Sequence, residues 1–194
     1  MTPIYRFATH GDIPALIALV TSAYRGDASR QGWTTEADLL GGQRIDADML
    51  RADLDAPGSV ILIAGDAERE DDASGHPIGC ARIAVVAADD GVATAEFGMF
   101  SIRPDLQGGG LGRMLLAEAE RVARDTLGCA RMRMTVIDCR DELLAWYERR
   151  GYVRTGVFKP FPYDDPRYGI PTRAGLRFEV LDKALDASPM ETAA

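Results

Sequence analysis

The sequence predicts an α/β domain built on a mixed sheet, and three observations carry that prediction. Apolar runs of strand length, such as "SVILIAG" (59–65) and "IGCARIAVVAA" (78–88), alternate with amphipathic segments of helix length. The stretch "PDLQGGGLGRMLLAEAERVAR" (104–124) places four glycines in five positions where a helix begins. Strand, Gly-rich turn, helix and strand in the middle of the chain form a βαβ unit, for which a right-handed crossover is expected.

Taken in order, "IYRFA" (4–8) reads as the first strand. "GDIPALIALVTSAYR" reads as a helix, with Asp12 at its start and Pro14 in its first turn. A less regular helical stretch is expected from Thr35 to Asp55, carrying Leu39, Leu40, Met49, Leu50 and Leu54. Strands follow at 59–65, 76–88 and 92–104, the last two joined by the turn Asp89-Asp90-Gly91. The helix after the glycines carries Leu111, Leu115, Ala119, Val122 and Ala123 on one face, and Gly128 stops it. "CARMRMTVID" (129–138) is a strand, "DELLAWYERR" (141–150) a helix stopped by Gly151, and "YVRTGVF" and "GLRFEVLDK" are the last strands.

The glycines ask for an explanation, because each one raises the entropic cost of ordering the chain. The first turn of a helix has backbone N–H groups without internal partners, and its dipole leaves that end partly positive. Without side chains in the way, an anion such as phosphate can approach those groups closely. Two common nucleotide loops do not fit. The third glycine of G-x-G-x-x-G is replaced by Leu115, and Gly112 is followed by Arg113 and Met114 instead of lysine and Ser/Thr.

Composition bounds the rest. The 194 residues, 46% hydrophobic, suit one domain over 1–185, with "DASPMETAA" leading into a flexible tail at 186–194. Strand-sized apolar segments predict no membrane span, and the N-terminus reads as a strand instead of a signal peptide. Cys80, Cys129 and Cys139 lack C-x-x-C spacing, which argues against a disulfide framework or a metal site. A net charge of −8 without a basic block argues against nucleic-acid binding. A cytoplasmic protein, monomer or homodimer, is expected.

The pattern Gln107-Gly108-Gly109-Gly110-Leu111-Gly112, written Q-x-x-G-x-G, resembles the acyl-CoA signature of the Gcn5-related N-acetyltransferase (GNAT) superfamily. A second segment, "DELLAWYERRGYVRTG" (141–156), is similar to the family's later helix and strand, and the order of elements resembles its fold from about residue 3 to 183. The resemblance implies a central mixed, mostly antiparallel sheet of about seven strands flanked by about four helices. One departure is that Arg140 stands where the family often has Asn, so Arg140 is expected to reach a cofactor carbonyl or phosphate, or to pair with an acid. The first third also looks like one small-molecule group of the superfamily, in Ala23-Tyr24-Arg25-Gly26, Ser29-Arg30, Gly32-Trp33-Thr34-Thr35-Glu36 and Arg44.

The resemblance implies that acetyl-CoA is the co-substrate, with no metal, and that its acetyl group passes to the primary amine of a small molecule in a ternary complex. Residues Gln107, Gly108, Gly109, Gly110, Leu111, Gly112 and Arg113 would hold the pyrophosphate. Phe100, Ser101 and Ile102 would pair with the pantetheine, and a backbone N–H there would stabilise charge on the thioester oxygen. Tyr147 is the candidate general acid, its hydroxyl having a reference pKa of about 10. Glu96, placed by unbroken alternation on the face of Phe100 and Ile102, is the candidate base, a water chain being the alternative. Neither His10 nor His76 is expected in the site. Tyr24, Arg25, Trp33 and Glu36 are expected to shape the acceptor pocket, with Arg25 gripping a carboxylate and Trp33 forming an apolar wall. Two other readings stand beside the transferase: a non-catalytic acyl-CoA-binding sensor or module of the same fold, and an unrelated phosphate-binding enzyme.

Overall fold

The structure, a computed structural model, describes residues 2–66, 76–88 and 90–185. The expected tail at 186–194, Asp89 of the expected turn and residues 67–75 lie outside the described residues. Strand β1 (Pro3–Phe7) leads through a 3-10 turn (His10–Asp12) into α1 (Ile13–Tyr24) and a short α2 (Gly26–Ser29). Then come β2 (Leu40–Gly41), α3 (Ala47–Asp55), β3 (Ser59–Asp66), β4 (Gly79–Val86) and β5 (Thr94–Ile102). Helix α4 (Leu111–Arg121), β6 (Arg131–Ile137), α5 (Asp141–Glu148), β7 (Val153–Pro160), β8 (Ile170–Pro171) and β9 (Arg177–Ala184) complete the chain.

Seven strands form one sheet in the order β1-β3-β4-β5-β6-β9-β7, and β2 pairs with β8 in a separate ribbon. All neighbours in the large sheet are antiparallel except β5 and β6. That one parallel pair requires a crossover, and α4 supplies it. The mixed sheet with flanking helices agrees with the expected class.

Two apolar layers cover the sheet. Leu111, Leu115, Ala119, Val122 and Ala123, the predicted face of α4 and its continuation, are buried against β4, β5 and β6 together with Leu144 and Tyr147 of α5. Leu16, Leu19 and Val20 of α1 and Leu50 of α3 pack on the opposite face, over Ile61, Ile63, Cys80 and Met99. Gly128, with φ 67°, ends the α4 segment as its composition predicts.

The expected helix from Thr35 to Asp55 is corrected. Only Ala47–Asp55 is helical, and Asp46 caps it by accepting the N–H of Met49 at 2.8 Å. Ahead of it, Leu40 and Gly41 pair with Ile170 and Pro171, so adjacent Leu39 and Leu40 bury their side chains from extended chain instead of a helix face.

Leu115 is fully buried where α4 meets the sheet, next to the glycine turn. Leu115→Ala is expected to lower stability by about 2–5 kcal/mol in urea unfolding. A loss under about 1 kcal/mol would show that the core relaxes around the deleted atoms.

Candidate active site

The site begins where two strands part. β5 and β6 pair only from Thr94 with Arg131 to Phe97 with Met134. Beyond that point β5 continues along β4 and β6 along β9, which opens a gap between them. Within this stretch the β4–β5 register shifts between Cys80 and Arg82, and Met99 takes a positive φ of 51°. This is a bulge, and it exchanges the two faces of the strand. Ala95 and Phe97 share the α4 core with Phe100 and Ile102, whereas Met99 joins the α1 and α3 core.

Glu96 is therefore not on the face of Phe100 and Ile102, as unbroken alternation predicts. It lies on the side of α3, 3.3 Å from Arg82, whose Nε is 2.6 Å from Asp53. It nevertheless lines the larger of two cavities at the gap.

The smaller cavity, about 190 Å³, lies between the glycine turn, β5 and α5. Gly108 and Gly110 have φ of 82° and 89°, a left-handed conformation that a side chain strains, and the space beside each is open. Among the described residues, no backbone carbonyl accepts the N–H groups of residues 108 to 113, because the first bond of α4 runs from Met114 to Gly110. Arg113 and Arg150 line this cavity, and neither has a carboxylate within 4.0 Å among the described residues. Arg150 lies over the Trp146 ring at 3.5 Å and donates to the Trp146 carbonyl at 2.6 Å, leaving its buried Nε without a partner. Desolvation makes this guanidinium easier to deprotonate than usual, and an anion beside it would offset that.

The other residues of the turn and strand divide by direction. Gln107 turns its side chain inward, donating from Nε2 to the Ile102 carbonyl at 3.2 Å and leaving Oε1 buried without a partner. Gly112 lines the cavity, while Leu111 is buried in the core and Gly109 lines neither cavity. The Phe100 carbonyl accepts the Tyr24 hydroxyl at 2.7 Å. With the carbonyls of Phe100 and Ile102 facing the gap, strand alternation turns their N–H groups the same way and Ser101 towards β4. Ser101 is buried, its hydroxyl 3.2 Å from the Met99 carbonyl.

The larger cavity, about 450 Å³, lies on the β6 side of the gap. The two cavities share Tyr24, Phe100, Arg140, Leu143 and Tyr147. Tyr147 is 4% exposed and packs edge-on against Trp146 and Tyr152. Burial, with a contribution from Tyr24, pushes its pKa well above the ordinary value, so the phenol stays neutral and keeps a proton to donate. Among the described residues nothing accepts its hydroxyl.

Segment 24–36 is pinned by one carboxylate. Glu36 accepts Arg25 at 3.1 Å on Oε2 and Arg140 at 2.9 Å on Oε1, and Arg140 also bonds the Thr34 hydroxyl. Of the roles open to Arg140, pairing with an acid is the one its side chain adopts. Arg25 lines neither cavity, which corrects the expectation that it grips a substrate carboxylate: it is 7% exposed and held on Glu36. Trp33 lines the smaller cavity, 6.4 Å from Trp146, instead of walling the larger one. Neither histidine lines a cavity. Sequence reasoning missed Trp146 and Arg150, although their four-residue spacing on a predicted helix was a readable signal for stacking. Among the described residues, no group of three or more His, Cys, Asp or Glu could hold a metal ion, and no helix is long and apolar enough to cross a membrane.

The Acetyltransferase (GNAT) family matches residues 21–152, a span that holds the glycine turn and Tyr147. The chain belongs to the GNAT family. By that membership it is an acetyltransferase. Solved structures with the same fold include a protein provisionally named phosphinothricin N-acetyltransferase, with TM-score 0.67 and 18% identity over 96% of this chain and 100% of that one. Another is yncA of Salmonella typhimurium, provisionally an acetyltransferase and solved with its cofactor acetyl-CoA (0.62, 20%, all of both chains). A third is a spermidine N-acetyltransferase chimera of Vibrio cholerae SpeG and hSSAT (0.63, 16%, 95% and 96%). At these identities the likeness establishes the fold. No curated protein sequence matches the chain.

Glu36→Gln removes the charge that two buried arginines share. Breaking a buried pair from one side typically costs about 3–5 kcal/mol, and a loss of that size is expected in urea unfolding. An unfolding midpoint equal to the parent's would show that Arg25 and Arg140 find other compensation.

Proposed function

We propose that this acetyltransferase moves the acetyl group of acetyl-CoA directly to the primary amine of a small molecule, with both substrates bound at once. The observation that carries the reading is the meeting of two cavities at Tyr147, one walled by a phosphate-type turn and the other by carboxylates and cations. Acetyl-CoA supplies an activated acyl thioester.

The unpaired N–H groups of residues 108 to 113, with Arg113 and Arg150, suit a pyrophosphate. The buried, unpartnered Gln107 Oε1 and Arg150 Nε mark polar capacity at the same cleft. The outward N–H groups of Phe100 and Ile102 are placed to meet the pantetheine chain and to stabilise charge on a carbonyl oxygen. Their carbonyls already accept Tyr24 and Gln107, but each keeps a second lone pair.

The amine must lose a proton before its nitrogen attacks, and Glu96 in the larger cavity can take that proton directly or through water. As the new C–N bond forms and the C–S bond breaks, the nitrogen releases its second proton to water and the sulfur takes up a proton. The neutral Tyr147 hydroxyl at the junction donates it, and water restores the phenol.

Tyr147→Phe is expected to lower turnover by ~10²–10⁴-fold while leaving acetyl-CoA affinity nearly unchanged. Unchanged turnover would remove Tyr147 from the mechanism. Gly110→Val places a side chain at φ 89° in the phosphate turn, so calorimetry should show weakened CoA binding by the folded variant. Binding as tight as the parent's would make the turn structural only. Glu96→Gln is expected to lower turnover by ~10²–10⁴-fold with little change in acetyl-CoA affinity, because the acceptor of the ammonium proton is gone. Unaltered turnover would assign the proton to water.

A further inference from the structure

We infer that the larger cavity selects an amine that also carries a carboxylate, held by Arg44, and disfavours polyamines. The inference rests on the acetyl transfer proposed above for the amine end of the same molecule.

The argument is one of charge placement. Arg44 is half-buried on the segment between β2 and α3, its guanidinium 4.7 Å from the centre of the Tyr24 ring. Stacking on Tyr24 restrains the group at the wall of the larger cavity, which it lines. Among the described residues, no carboxylate lies within 4.0 Å of it and no hydrogen-bond acceptor is assigned to it. The chain carries 30 acidic residues against 22 basic ones, so acids are not scarce. Other arginines in comparable settings have them: Arg82, Arg131, Arg133 and Arg140 each face a carboxylate. A partly desolvated cation without a counter-charge is costly unless an anion arrives.

The neighbours do not supply that anion. Glu36 lines the cavity but already serves Arg25 and Arg140, so that trio is cationic as a set. Glu96 is answered by Arg82, and Asp53 shares the same arginine. Lys159 of β7 lines the cavity too, again without a carboxylate partner among the described residues. The lining of the cavity thus offers Glu96 and the neutral Tyr147 to an ammonium group, and Arg44 with Lys159 to an oxyanion. A molecule with one amine and one carboxylate, as in an α-amino acid, satisfies both, and a guanidinium can hold the carboxylate bidentately. A polyamine would bring its second ammonium against Arg44 and Lys159, which like charge disfavours.

The test compares a panel of L-α-amino acids with their carboxamides, and with spermidine as the polycation. Two readouts are used: thiol release with acetyl-CoA, and calorimetric binding to the CoA-loaded protein. The parent is expected to favour at least one acid over its carboxamide by roughly 10–100-fold, the range of a charge-assisted contact. Arg44→Met keeps an unbranched side chain over Tyr24 and should erase that acid-to-amide ratio while leaving the KM for acetyl-CoA as it was. Equal use of acids and carboxamides, better use of spermidine, or a ratio that survives Arg44→Met would overturn the subsite while leaving the transferase reading intact. Carboxylate-dependent binding lost in Arg44→Met but without thiol release would uphold the subsite and sink the transferase reading.

Discussion

The structure depends on the parting of β5 and β6 after four residue pairs. Each strand has a stronger commitment elsewhere: β6 is paired with β9 along its whole length, and β5 stays with β4 to Ile102. Two strands tied to different partners in a twisted sheet diverge, and the divergence leaves an unpaired edge at Phe100 and Ile102. Unpaired edges invite aggregation unless they are covered. Here Tyr24 and Gln107 each take one carbonyl of the edge, from α1 and from the turn before α4. Because the β5–β6 pair is parallel, the crossover helix must start at the open end of β5, so the N–H groups of its first turn arrive at the gap. The glycine turn, the exposed edge and the cavity between them follow from one topological fact.

Glu36 ties the cover to the α5 side of the gap. Its carboxylate joins Arg25, just after α1, to Arg140, which immediately precedes α5, and α5 carries Tyr147. A buried ionic cluster of this kind is weak evidence of stability, because desolvation consumes much of the Coulombic gain. Its value lies in geometry. A carboxylate with two oxygens and two guanidinium partners has one good arrangement, so segment 24–36 and the start of α5 are held in register. Apolar contacts between the same pieces would tolerate sliding. Trp33, carried on the pinned segment, is thereby kept near Trp146 over the smaller cavity.

How much of this was legible in the sequence depended on whether the cause was local. The glycine turn was readable because its cause, a helix start that needs left-handed backbone, is written in consecutive residues. The buried face of α4 was readable for the same reason, since 3.6-residue periodicity is local. The helix expected across 35–46 was not, because β2 is extended only through its pairing with Ile170 and Pro171, far along the chain. Gly41 and Gly42 were the available warning. The bulge's one local signal was Gly98, a glycine inside the strand pattern beside Met99, whose positive φ exchanges the faces and puts Glu96 on the other side. Among the arginines, sequence showed Arg25 and Arg44 in the same stretch as Glu36, but only three-dimensional structure shows that this acid takes Arg25 and the distant Arg140.

That distribution gives the site its electrostatic character. The molecule is acidic overall, and most arginines outside the cavities are matched by a carboxylate. Around the gap, Arg140 is matched by Glu36, but among the described residues Arg113 and Arg150 on one side and Arg44 and Lys159 on the other have no carboxylate partner. Field lines from unmatched cations in a concave, partly apolar site are focused, so a local positive potential can coexist with a net charge of −8. Between the two cationic ends stand Phe100, Leu143 and Tyr147, a low-dielectric waist that favours the proposed step from an ammonium to a neutral amide once the proton is removed. Charge at the ends and apolar surface at the middle suits that proposal, in which each ligand would be anchored by its permanent charge and the reacting atoms left dry.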